Sequence, residues 1–125
     1  MLVVLEWIQV EPQLIQGQPA PLEALDSLSH PARDDIALAA VLHALSDPMR
    51  LRIVAGLAVE DKRTCKSFNL PVTKSTCTHH FRVLREAGVI RQRVEGTTRL
   101  NSLRREDLDR RFPGLLDSVL NAAEV

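Results

Sequence analysis

The chain has 125 residues, 45 % of them hydrophobic and 26 % charged, which is the size of one domain with enough apolar mass for a packed core and excludes a disordered chain. Aromatic residues make up only 3 % (Trp7, Phe68, Phe81, Phe112), so the core is expected to be aliphatic, and base-stacking platforms for single strands are disfavoured. The net charge of zero hides seven acids against one base in residues 1–47, thirteen bases against four acids in residues 48–105, and a net −3 over residues 106–125.

The opening MLVVLEWIQV is apolar but carries Glu6 and no basic leader, which argues against a secretory signal. Pro12, Gly17, Pro19 and Pro21 mark the next stretch as irregular, so residues 1–33 read as an N-terminal arm and residues 34–123 as the domain. Ser29-His30-Pro31 is a helix-start signal. From Ile36 to Leu45 nearly every residue is apolar, with His43 the clear exception. A helix apolar all round is buried on more than one side, and in so small a protein the second side is expected to be another subunit.

Ser46-Asp47-Pro48 places a capping side chain before a proline at the first helical position. The helix beginning there is expected to bury Leu51, Val54, Leu57 and Ala58 and to turn Arg50 and Arg52 away from them. Residues 60–67 are charged, and Phe68-Asn69-Leu70-Pro71 closes that stretch. Thr73 then caps a helix running to Ala87, ended by Gly88. At 100° per residue, Cys77, His80, Phe81, Leu84 and Ala87 share one side of this helix. Lys74, Ser75, Thr78, His79, Arg82, Arg85 and Glu86 share the other, and such donors suit phosphates and base edges. Two runs rich in β-formers flank Glu95-Gly96 as a hairpin carrying Arg91, Arg93 and Arg99. Alternation puts Arg91, Arg93 and Glu95 on one hairpin face, which allows internal pairing. Ser102 is expected to cap a helix over Leu103–Phe112, and Pro113-Gly114 breaks it before a last helix with Leu115, Leu116, Val119 and Leu120.

Helices leading into a basic hairpin describe a winged helix-turn-helix, mainly α with a small β-hairpin wing. Leu45-Ser46-Asp47-Pro48-Met49-Arg50-Leu51-Arg52-Ile53 resembles the opening signature of ArsR-type bacterial regulators. The run from Val72 to Ile90, VTKSTCTHHFRVLREAGVI, is similar to their recognition helix and the start of their wing. The resemblance covers roughly residues 36–103 and implies a cytoplasmic homodimer that binds double-stranded operator DNA, usually a repressor released by a small effector. It assigns Lys74, Ser75, Thr78, His79 and Arg82 to the DNA-facing surface, with Arg91, Arg93 and Arg99 as wing contacts. A solvated helix face and a charged edge that discourages strand pairing are the bland readings of the same residues. The dimer interface is expected over residues 34–45 and 113–123, with Ile36, Leu38, Val41, Leu42, Leu116, Val119 and Leu120 in it.

Metal sensing is where the chain departs from the family. Cys65 stands without the second cysteine of a Cys-x-Cys pair, and no histidine occurs after Arg111, so neither a metal nor any other cofactor is expected. Cys65 lies beside Lys62, Arg63 and Lys66, which would lower its pKa and make it a thiol switch. His80, on the apolar side, is expected to be a core histidine bonded to the backbone. No phosphate loop, paired-carboxylate motif or nucleophile motif is present, so an enzyme is not expected. A winged-helix module for protein partners is the competing class, and a membrane partner is not expected.

Overall fold

The computed structural model describes residues 28–123; the expected arm lies outside the described residues as far as residue 27. A 3-10 turn at Arg33–Asp35 precedes α1 (Leu38–Ala44) and α2 (Pro48–Val59). Then come β1 (Arg63–Thr64), a 3-10 turn at Cys65–Phe68, and α3 (Lys74–Ala87). The hairpin of β2 (Ile90–Glu95) and β3 (Thr98–Leu103) leads to α4 (Arg105–Arg111) and α5 (Leu115–Ala122). The sheet is antiparallel in the order β1-β3-β2. Among the described residues, five helices, a hairpin wing and a small sheet make this a winged helix-turn-helix.

Local chemistry accounts for both ends of α3, the start of α2 and the hairpin turn. The Asp47 carboxylate accepts from the Met49 and Arg50 amides at 2.8 and 3.1 Å, with Pro48 at the first helical position of α2. The Thr73 hydroxyl accepts from the Thr76 amide at 3.2 Å. Gly88 ends α3 at φ 87°, in the left-handed region open to glycine. A Cβ there would stand 2.6 Å from Ile36 Cγ1, so two constraints select glycine. Between paired Glu95 and Thr98 the hairpin turns through Gly96, at φ 63°, the backbone that a two-residue hairpin loop asks for.

Three expectations about elements are corrected, and one strand is added. Ser29-His30-Pro31 starts no helix. His30 Nε2 instead accepts from the Gln92 amide at 2.9 Å and the Pro31 carbonyl accepts from Arg104 at 2.8 Å, so this segment is tied to the sheet. The helix begins only at Leu38, with no side-chain cap. Ser102 lies within β3 and α4 starts at Arg105 without a side-chain cap. The face that α2 buries is Arg50, Ile53, Val54 and Leu57, while Ala58 is exposed. β1, unforeseen, pairs with β3 at Arg63↔Asn101 and Thr64↔Leu100.

The core is aliphatic, as the composition required. Ile36, Val41, Ile53, Val54, Leu57, Leu84, Val89, Ile90, Leu108 and Leu116 are buried around Phe81. Phe68 leans on Phe81 with ring centroids 5.6 Å apart. Arg111 donates to the Ile36 carbonyl at 2.6 Å, which ties the end of α4 to the approach of α1.

Candidate nucleic-acid interface

One face of α3 is packed on the core through Phe81, Leu84 and Ala87. The opposite face presents Lys74, Ser75, Thr78, His79 and Arg82, all exposed, and these five line one open concavity. The arc holds hydroxyls, an imidazole, an ammonium and a guanidinium on a rigid element of 14 residues. Those are donors with the reach and geometry to bond phosphates and base edges.

Arg85 does not belong to this arc, contrary to the helical projection. Its guanidinium folds under the wing and donates to Gln92 Oε1 at 2.8 Å. Gln92 Nε2 donates to Asn101 Oδ1 at 2.7 Å, and Asn101 Nδ2 donates to the Arg63 carbonyl at 3.0 Å. Asn101 is fully buried. This relay joins α3, β2, β3 and β1 through polar contacts, and burial pulls the Arg85 pKa down.

The three wing arginines fall on two faces. Cross-strand partners share a face, and the register pairs Gln92 with Asn101 and Val94 with Arg99. Arg99 therefore lies on the side of the sheet that meets α3, and it lines a groove with Lys66, Lys74, Thr78 and Thr97. Arg91 and Arg93 lie on the other face with Glu95. Arg93 is bound to Glu95 at 2.7 Å, and Arg91 stands 3.9 Å from Asp107. The sequence gives no sign that Lys66 and Thr97 join this surface, because only the fold brings the 3-10 turn and the wing tip beside α3.

Arg50, expected to point outward, is buried. Its Nε donates to the Ala44 carbonyl at 2.7 Å, and its Nη1 lies 3.1 Å from His80 Nδ1. An arginine only donates, so Nδ1 accepts and the His80 proton sits on Nε2, 3.9 Å from the Asp47 carboxylate. His80 is a core histidine as expected, but its partners are side chains, not backbone. Burial depresses its pKa below the usual 6.5 and outweighs the pull of Asp47. Burial pushes the Asp47 carboxyl up, but the amide bonds from Arg50 and Met49 and the nearby His80 and Arg50 hold it below its ordinary value.

At Cys65 the shift runs opposite to the lowering expected from its cationic neighbours. Burial raises its pKa, and the Asn101 amide 3.5 Å from its sulfur and the Arg99 charge do not compensate. Cys77 is half-buried and likewise raised by burial. Among the described residues no three His, Cys, Asp or Glu side chains converge on one point, and no helix is long and apolar enough to cross a membrane. Of the seven residues expected at a subunit interface, Ile36, Val41 and Leu116 are sealed in the chain's own core. Leu38 and Leu42 are 45 % and 46 % exposed, and Val119 and Leu120 are half-buried.

Comparison with known proteins agrees with this geometry. Residues 45–93 match the model of a helix-turn-helix domain family. The chain is 35 % identical over 89 residues to a Bacillus subtilis protein described as the uncharacterized HTH-type transcriptional regulator YceK, covering 69 % of this chain and 89 % of that one.

Proposed function

This chain belongs to the helix-turn-helix transcriptional regulators, proteins that bind double-stranded DNA, and from that premise we propose that it is an ArsR-type cytoplasmic repressor acting as a homodimer on a palindromic operator. The domain over residues 34–123 carries both functions. Lys74, Ser75, Thr78, His79 and Arg82 enter the major groove, and two α3 helices reach successive major grooves about 34 Å apart. Arg99 holds the phosphate backbone from the wing, with Arg91 and Arg93 as outer contacts. The observation that carries this reading is the exposed arc of α3, five donor-rich side chains lining one concavity on a helix whose opposite face is locked into the core.

Dimerisation is supported by Leu38 and Leu42, large apolar side chains that the chain's own fold leaves nearly half exposed. Val119 and Leu120 complete that interface. A small effector would release the repressor.

Selection of bound duplexes from a random pool, then titration at two salt concentrations, tests the function. Inverted repeats are expected among the winners. Equal affinity for every duplex, with Arg82→Ala without effect, sinks the reading in favour of a protein-interaction module. For the dimer, sedimentation is expected to give twice the chain mass for wild type and the single mass for Leu42→Asp. A wild-type monomer at micromolar concentration refutes it.

A further inference from the structure

We propose that the groove between α3 and the wing binds a small amphipathic anion, an apolar body carrying one carboxylate or sulfonate, and that its occupancy displaces DNA. The cavity is about 700 Å³, within the ~300–1,000 Å³ typical of small-molecule sites. Its apolar wall is Leu70, Val72, Cys77 and Phe81, and its cations are Lys66, Lys74 and Arg99. No carboxylate lines it, and none of the three cations is in an ion pair among the described residues.

The combination selects the ligand class. A phosphate backbone alone would use the cations and leave the apolar wall in water. An apolar body without charge would use the wall and leave three ammonium and guanidinium groups unanswered. A flat ring system or short acyl chain bearing one anionic group satisfies both, with the charge toward Arg99 and Lys66 and the body against Leu70 and Val72. Lys74 and Thr78 line both this groove and the concavity on the outer face of α3. A ligand seated in the groove therefore engages side chains that the proposed DNA contact requires, and this competition rests on that reading of α3.

The probe is 8-anilinonaphthalene-1-sulfonate, titrated into the full chain and monitored by fluorescence. Saturation at one dye per chain is expected, with affinity weakened about tenfold in the Lys66→Gln/Arg99→Gln variant. Both positions are exposed, and circular dichroism checks that the variant folds. Cys65 and Cys77 line the cavity and report on location: saturating dye is expected to slow their alkylation by N-ethylmaleimide at least about fivefold. Unchanged alkylation places the dye elsewhere, such as on Leu38 and Leu42, and overturns the site. So does unchanged affinity in the double variant. Duplex DNA is then added to the dye complex. If duplex binds without releasing dye, the competition is wrong while DNA reading stands. If no duplex binds at all but the dye saturates and protects the thiols, the anion site stands and the DNA reading fails.

Discussion

The two faces of α3 use the same residue types for opposite purposes. On the outer face His79 and Arg82 are exposed and make no ion pair among the described residues. On the inner side, one residue and three residues further along, His80 and Arg85 are buried and bonded to Arg50 and to Gln92. A histidine and an arginine on one side are available to a ligand; their counterparts on the other hold the domain together. The excess of positive charge in residues 48–105 therefore overstates what DNA can meet, because Arg50, Arg85 and Arg104 are buried inside the fold.

The sharpest way to break this comparison is to cut the inner network. Asn101→Ala leaves the buried Gln92 side-chain amide without its acceptor and removes a donor to the half-buried Arg63 carbonyl. Unpaired buried groups cost their full desolvation, so a loss of about 2–3 kcal/mol in urea unfolding is expected. Arg82→Ala, on the outer face, is expected to stay within about 0.5 kcal/mol of wild type. Comparable losses in the two variants would erase the distinction between the faces.

DNA affinity is expected to rank them in reverse. Arg82→Ala and His79→Ala should each cost about 1–3 kcal/mol on the best duplex if the side chain reads a base, and much less on random sequence. The direct measurement is titration of both duplexes by anisotropy. An equal loss on both would assign these residues to phosphates instead of bases.

How much could be read from the sequence depends on the range of the interactions. Asp47-Pro48, Thr73, Gly88 and Gly96 act within a few residues of themselves, so their roles as caps and turns were legible. The outer arc of α3 was legible too, because one helix's periodicity fixes its own faces. Arg50 and Arg85 were misread for the same reason: the projection sees an arginine, while His80 and Gln92, 30 and 7 residues away, decide that it is buried. β1 has two residues, Arg63 and Thr64, too few for any alternation to show. The split of the wing arginines needed the β2–β3 register. Cys65 looked activated by its sequence neighbours, yet burial against the sheet dominates.

Acid is expected to weaken the fold through two histidines, buried His80 and half-buried His30. The unfolded chain protonates its histidines near 6.5, whereas burial holds folded His80 and His30 below that value. The unfolded state then binds more protons, so this contribution is complete above pH 6.5 and is lost as pH falls through the folded values. The urea midpoint is expected to drop between about pH 7.5 and 5.5. His30→Gln/His80→Gln should flatten that slope. Asp47, held low, adds a separate loss only in the carboxylate range below it. A slope unchanged in the double variant would assign the pH dependence to other groups.

The smallest effect separates the two faces of the wing. Arg99 has no ion-pair partner among the described residues and shares its groove with Lys74 of α3, whereas Arg93 is already held by Glu95 at 2.7 Å. A cation neutralised within its own strand brings few counterions to release, and exchanging Glu95 for a phosphate returns little. Arg99→Ala is therefore expected to reduce the slope of log affinity against log salt by about one, equally on specific and random duplexes. Arg93→Ala should change it by much less than that. Glu95→Gln provides the complementary arm: it frees Arg93, and the slope should steepen toward one further phosphate contact. If Arg93→Ala flattens the slope as much as Arg99→Ala does, the DNA lies across both faces of the wing and the groove side holds no privilege.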